Sequence, residues 1–89
     1  MPERTIRIVN ETGIHARPAA EIVKLTAKFR SDITLSRDGM DVNAKSIMGV
    51  MMLAAECGSE IVARASGEDA EAALSALADL IAGKFGESS

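Results

Sequence analysis

Two periodicities alternate along this chain. Ile6 and Ile8 share one face at a spacing of two within residues 5–9, the pattern of a half-buried strand. After the turn-like Asn10-Glu11-Thr12-Gly13, the positions Ala19, Ile22, Val23 and Thr26 recur at helical spacing and predict a helix from about residue 16 to 28. Ile33 and Leu35 alternate with polar neighbours, and so do Met40, Val42 and Ala44. Between them lies Asp38-Gly39, which tolerates the positive φ angles of a type I′ turn, so this stretch predicts a hairpin.

Ser46 precedes an apolar run, residues 47–55, that is neither alternating nor long. It predicts a short helix with Ser46 as N-cap, interrupted by Gly49 and stopped near Gly58. One side of that helix must be buried, which assigns Val50 and Leu53 to the core and leaves Met48 exposed. Ile61, Ala63 and Ala65 alternate with Val62 and Arg64, a fourth strand ended by Ser66-Gly67. Asp69 is the expected N-cap of a last helix, in which Ala70, Ala73, Leu74, Leu77 and Ile81 repeat at helical spacing up to Gly83 or Gly86. Gly86-Glu87-Ser88-Ser89 reads as a frayed tail. The order βαββαβα predicts an α+β fold, with amphipathic helices covering one face of a four-stranded sheet. Without an internal repeat or linker, residues 1–89 read as one domain.

Composition narrows what such a domain does. With 89 residues the core is thin, so surface chemistry is expected in place of a closed cleft holding a cofactor. One cysteine, Cys57, closes no internal disulfide and is read as an inert small residue; one histidine with one cysteine makes no metal-ligand cluster. No cofactor and no metal are therefore expected, and a reducing cytoplasm fits. No apolar run approaches the roughly 18 residues of a membrane helix, and Met-Pro-Glu-Arg-Thr does not begin a secretory signal. The net charge of -3 is unevenly spread. Residues 1–30 carry six basic and three acidic groups, which leaves the remainder at -6. The basic third suits an acidic protein partner or an anion. Nucleic acid is disfavoured, because Phe29 and Phe85 are the whole aromatic content and build no stacking platform.

Candidate chemistry gathers at Gly13-Ile14-His15-Ala16-Arg17-Pro18-Ala19-Ala20, where the single histidine stands at a helix start. A neutral imidazole, populated at pH 7 because histidine titrates near about 6.5, has a lone pair able to attack phosphorus without a separate base. With His15 at the N-cap, the amides of Ala16 and Arg17 lack intrahelical acceptors, and Pro18 has no amide to leave unpaired in that turn. Those amides and the positive end of the helix dipole favour a phosphoryl group. Arg17 adds a planar, permanently charged fork matched to phosphate oxygens. By spacing alone, a plain cap or surface histidine is the favoured reading.

These residues resemble those of a known family, the HPr phosphocarriers of the bacterial phosphoenolpyruvate-dependent phosphotransferase system. Gly13-Ile14-His15-Ala16-Arg17-Pro18-Ala19 is similar to the family's active-site signature, and Lys45-Ser46-Ile47-Met48-Gly49-Val50-Met51 to its regulatory serine segment. The match extends over essentially the whole chain. It implies an open-faced β-sandwich, a four-stranded antiparallel sheet covered on one face by three helices. It further implies that His15 accepts a phosphoryl group on Nδ1 from phosphorylated Enzyme I and delivers it to Enzyme IIA proteins in sugar uptake. Such a chain is a monomeric, stoichiometric carrier with no turnover of its own. Arg17 would neutralise the transferring oxygens, and Lys24 matches a basic docking position.

By the same resemblance, Ser46 is phosphorylated by an HPr kinase/phosphorylase in organisms that possess it, with a transcriptional regulator as a further partner. A phosphate at an N-cap is tolerated by the helix dipole, yet adds negative charge to a surface that must dock acidic Enzyme I. Without that enzyme, Ser46 is a cap worth about 1 kcal/mol. Ile47, Met48 and Met51 match partner-contacting positions, and with Met52 they form an adaptable apolar cluster. Gly49 and Ala27 stand where some members carry a basic docking residue. Met51-Met52-Leu53-Ala54 and the alanine-rich last helix resemble the nitrogen-related paralogues, whereas Ser46-Ile47-Met48-Gly49 resembles kinase-regulated members of the sugar branch. Both branches stay open, as does an interaction module that uses the Met48 face with His15 as a simple cap.

Overall fold

The structure, a computed structural model, describes residues 2–86. Its elements run β1 (Glu3–Arg7), α1 (Ala16–Thr26), β2 (Asp32–Arg37), β3 (Met40–Asn43), α2 (Ile47–Met52), β4 (Glu60–Ser66) and α3 (Ala70–Ala82), followed by a short turn of 3₁₀ helix, Lys84–Gly86. The strands form one antiparallel sheet in the order β1-β4-β2-β3, so the last strand inserts between the first two. Ile61 pairs with Ile6, and Ala63 with Leu35, which brings the apolar positions of neighbouring strands onto one face. Helices cover that face. Ile22 of α1, Val50 of α2 and Leu74, Leu77 and Ile81 of α3 are buried against Ile33, Leu35, Ile61, Ala63 and Ala65. Burying each large aliphatic side chain is worth about 1.5–3 kcal/mol, which makes this interleaved layer the main stabilising feature. The opposite face of the sheet is polar. There Arg64 donates to Glu3 and to Ser36, each at 3.0 Å. Four strands and three helices, covered on one side and open on the other, make the open-faced α+β sandwich anticipated from the pattern.

Several boundaries differ from the sequence expectation, each for a local reason. β1 spans Glu3–Arg7 and not residues 5–9, because its paired partner β4 starts at Glu60. Ile8 lies just outside the strand but is fully buried and exchanges backbone hydrogen bonds with Ser59 and Gly58. α1 stops at Thr26, where the amides of Lys28 and Phe29 switch to carbonyls three residues back and the Thr26 hydroxyl donates to the Ala44 carbonyl. α2 stops at Met52 and does not reach residue 55. The amides of Leu53 and Ala54 also tighten to carbonyls three residues back, and Ala54 then turns left-handed at φ 50°. α3 ends at Ala82, with Gly83 following it, and Phe85 beyond is buried. Of the anticipated tail, Glu87, Ser88 and Ser89 lie outside the described residues. The hairpin is as expected, with Asp38 at φ 50° and Gly39 at φ 82°. No helix among the described residues is long and apolar enough to cross a membrane.

Asp69 occupies the N-cap position of α3, but its carboxylate does not cap that helix. It reaches the connection between α1 and β2 instead, accepting from the amides of Arg30 (2.9 Å) and Ser31 (3.0 Å) and from the Ser31 hydroxyl. The hydroxyl, followed by the Arg30 amide, holds the carboxyl well below its ordinary range, lowered from 3.8 to about 2. A folded-state value below the unfolded one gives stabilisation that is complete above 3.8 and lost as pH falls through about 2. Asp69→Asn is therefore expected to lower the thermal midpoint at neutral pH, with the deficit shrinking through that acidic window. Parallel melts of both proteins across pH check this.

Candidate functional site

The loop entering α1 is built around two backbone constraints. Gly13 adopts φ 69°, a left-handed conformation that disfavours side chains, and a Cβ there would lie 2.6 Å from the Ala55 carbonyl oxygen. Next to it the Ile14 amide donates to that same carbonyl at 2.8 Å, and the Ile14 side chain is buried. The Asn10 amide nitrogen donates to the Gly13 carbonyl at 2.8 Å and closes the turn from the other side. The chain is thus fixed one residue before His15.

His15 is exposed at the N-cap of α1 with extended backbone, φ −114° and ψ −162°. Its side chain makes no capping bond to the helix. Nε2 lies 2.9 Å from the Thr12 hydroxyl, which holds the ring. With Nε2–H donating to Thr12, the neutral imidazole keeps its lone pair on Nδ1. Among the described residues, no acceptor is recorded for the amides of Ala16 and Arg17, so the open end of this 11-residue helix lies beside the ring. Arg17 is exposed, and no carboxylate among the described residues pairs with it. Lys24 is also exposed, seven residues further on. Seven residues are nearly two helical turns, so Arg17 and Lys24 share one face about 10 Å apart.

α2 runs beside α1 in the opposite sense. At its start the Lys45 ammonium donates to the Phe29 carbonyl, and the Thr26 hydroxyl to the Ala44 carbonyl, both beyond or at the C-terminal end of α1. At its finish, Ala55 is joined to Ile14, before the N-terminal end of α1. Met51 and Met52 therefore lie toward the His15 end and Ser46 toward the far end. The exposed apolar side chains of α2 are Met48 (74%), Met52 (61%), Ile47 (45%) and Met51 (40%), while Val50 and, just after the helix, Leu53 are buried. The Ser46 hydroxyl accepts from the Gly49 amide at 3.1 Å, the expected cap bond. The helices bring the His15 segment and the Met48 face onto adjoining surfaces. Ser46 is separated from the His15 end by the length of α2, about 9 Å at 1.5 Å per residue.

Sequence reasoning missed Thr12, although a hydroxyl three residues before a loop histidine was the available signal. It also missed Ala55, whose contribution is a backbone carbonyl and leaves no trace in side-chain pattern. Cys57 is exposed, and its backbone borders Gly13.

An exposed imidazole at an open helix end, on a small sheet-and-helix scaffold, is suited to carrying a group at the protein surface. Residues 2–83 match the family described as the PTS HPr component phosphorylation site. The phosphocarrier protein HPr of Treponema pallidum (strain Nichols) is 53% identical over 87 residues, covering 98% of this chain and 99% of that protein. The crystal structure of HPr-C-His from Thermoanaerobacter tengcongensis superposes with a TM-score of 0.96 at 50% identity, over 100% of both chains. The crystal structure of an HPr dimer from the same organism matches with a TM-score of 0.78 at 52% identity, over 98% of this chain and 100% of that one. The chain belongs to the HPr family of phosphocarriers of the phosphotransferase system.

Proposed function

We propose that His15 is the phosphoryl acceptor, taking the group on Nδ1 from phosphorylated Enzyme I and passing it to Enzyme IIA proteins that serve sugar uptake. The observation that carries this reading is the exposed His15 ring at the open end of α1, with Nε2 beside the Thr12 hydroxyl at 2.9 Å; in the tautomer whose Nε2–H donates to Thr12, Nδ1 carries the reacting lone pair. The Nδ1 lone pair forms the new bond to phosphorus as the donor's bond to phosphorus breaks, and the electron pair of that bond returns to the donor. The Ala16 and Arg17 amides and the Arg17 guanidinium stabilise the oxygens of the transferred group. Exposure at the protein surface suits a group handed between two proteins, each of which supplies the rest of the transition-state environment. The chain acts in the cytoplasm as a monomer that is regenerated at each transfer.

Lys24, Ile47, Met48 and Met51 form the docking surface, basic on α1 and apolar on α2. Flexible thioethers can repack against more than one partner, which a carrier with a donor and several acceptors requires. The test is reconstitution with Enzyme I, phosphoenolpyruvate and an Enzyme IIA. The expected result is a phosphorylated chain that is discharged on adding Enzyme IIA, and a chain charged but never discharged would refute the carrier role.

Ser46 is the regulatory phosphorylation site in this reading, addressed by an HPr kinase/phosphorylase. A phosphate on its hydroxyl stays within the favourable field of the α2 N-terminus, so the fold survives. At about 9 Å or more from the His15 end it covers no atom of the ring, and it acts by repelling an acidic partner from the Met48 face. Ser46→Asp is accordingly expected to retain the unfolding midpoint, since aspartate also caps a helix, and to slow phosphoryl transfer from Enzyme I by about tenfold or more at low salt. Added salt should narrow the gap by screening. An unchanged transfer rate at low ionic strength would remove Ser46 from the regulatory role.

A further inference from the structure

Arg37 is the last residue of β2, and strand alternation places it on the same face as Ile33 and Leu35, toward the helices. Its guanidinium extends to the end of α2, where Nη1 donates to the carbonyls of Leu53 at 2.9 Å and Ala54 at 3.2 Å. The final carbonyls of a helix have no intrahelical donor, and a cation there also opposes the dipole. The nearby Asp38 carboxylate is 3.8 Å from Nε and its side chain is 86% exposed, so that pair is a weak anchor. The two carbonyls are what Arg37 holds. Ala54 is the residue that turns left-handed after α2, a conformation alanine does not favour without outside support. Ala55 follows directly, and its carbonyl receives the Ile14 amide at 2.8 Å and stands against Gly13.

From this sequence of contacts we infer that Arg37 is a positioning residue for the His15 site, acting through Leu53 and Ala54 on the Ala55 carbonyl from which the Ile14–His15 backbone is suspended. The inference rests on the reading of His15 as phosphoryl acceptor. Arg37 touches no reacting atom. Its guanidinium fixes the 53–55 turn, the turn fixes the Ile14 amide, and one residue later the imidazole reaches Thr12. The Ala55 carbonyl has little room to adjust, because Gly13 already approaches it too closely for a side chain. Loosening the turn therefore shifts the loop ahead of His15 and leaves the sheet and α3 in place.

The test compares Arg37→Gln and Arg37→Lys with wild type, measuring amide hydrogen exchange by NMR and phosphoryl transfer from Enzyme I over a range of carrier concentrations. For Arg37→Gln, exchange at the Ile14 amide should accelerate about tenfold while β4 amides keep their protection. The limiting transfer rate should fall by about tenfold, more than the half-saturating concentration changes, because the reacting geometry and not the docking chemistry is altered. Lysine, which keeps the cation, should recover part of both effects. Wild-type exchange at Ile14 together with wild-type transfer would overturn the inference. So would protection lost equally at Ile14 and throughout β4, which is the signature of a general stability role. If wild type itself accepts no acid-labile phosphoryl group, the reading of His15 fails, and exchange at Ile14 still decides whether Arg37 holds the loop.

Discussion

His15→Ala is expected to abolish phosphorylation by Enzyme I and phosphoenolpyruvate while leaving the free energy of urea unfolding within about 0.5 kcal/mol of wild type. The two halves of this expectation come from separate features. The imidazole is exposed and makes no cap bond to α1, so its removal exposes no core and leaves no buried polar group unpaired. Its Nδ1 lone pair is at the same time the nucleophile in the proposed transfer, and neither Arg17 nor Thr12 beside it substitutes for it. Arg17 is always protonated, and the Thr12 hydroxyl is a far weaker nucleophile without a base. Stopped-flow or labelled transfer from phosphoenolpyruvate measures the first half and urea titration the second. Residual acid-labile phosphorylation in a folded His15→Ala protein would remove His15 from the proposal.

Gly13→Ala should strongly destabilise the scaffold at the loop that carries His15. A left-handed residue other than glycine costs about 1–3 kcal/mol by conformation alone, and here the new Cβ would also lie 2.6 Å from the Ala55 carbonyl oxygen and 3.0 Å from the Glu56 Cα. Those are backbone atoms and cannot swing aside as a side chain would. The loop or the 55–57 segment must move, lengthening the Ile14 to Ala55 hydrogen bond and displacing His15. The expected outcome is a loss of about 2–3 kcal/mol in urea unfolding, together with a transfer rate lower by about tenfold. Gly39→Ala is the matched control. It shares a positive φ of 82° but has nothing within 4 Å of its Cβ, so it carries the conformational penalty without the contact. Equal destabilisation by the two substitutions would show that the approach to Ala55 has no energetic weight.

Much of this architecture was legible in the chain because local patterns and global packing agree. Alternation in β2 and β3 around Asp38-Gly39 fixed a hairpin whose turn residues adopt the positive φ angles they favour. The apolar spacing of α3 marked the residues it buries. The His15 segment stood out through its likeness to the family signature, and the structure places His15 at the N-cap of α1 as expected from the pattern. Boundaries and long-range polar attachments were not legible in the same way. The apolar run 47–55 reads as one helix because Leu53 and Ala55 are buried, but burial does not require helical dihedrals, and the chain turns at Ala54 to bring Ala55 to Ile14. Asp69 shows the same ambiguity in polar form. A capping residue type stands at a helix start, yet its carboxylate finds better donors at Arg30 and Ser31, 39 and 38 residues away. Arg37 likewise bonds 16 and 17 residues ahead, a pairing that no local period encodes.

The proposed regulatory and carrier roles share one geometric arrangement, two neighbouring helices of opposite sense. α1 carries His15 at its start, and α2 exposes apolar side chains along its length with Ser46 at the far end. In the proposed reading, a partner that covers the Met48 face reaches His15, and a negative charge at Ser46 opposes that docking without altering the ring.

The most direct measurement is the intact mass of the wild-type chain after incubation with Enzyme I and phosphoenolpyruvate, before and after brief acid, with phosphorus NMR to locate the group on the ring. A phosphorus–nitrogen bond is cleaved by acid and a phosphoserine is not. One acid-labile phosphoryl group on His15 Nδ1 is the predicted result. No gain in mass with a competent Enzyme I, or a group that survives acid, would contradict the proposed role of His15.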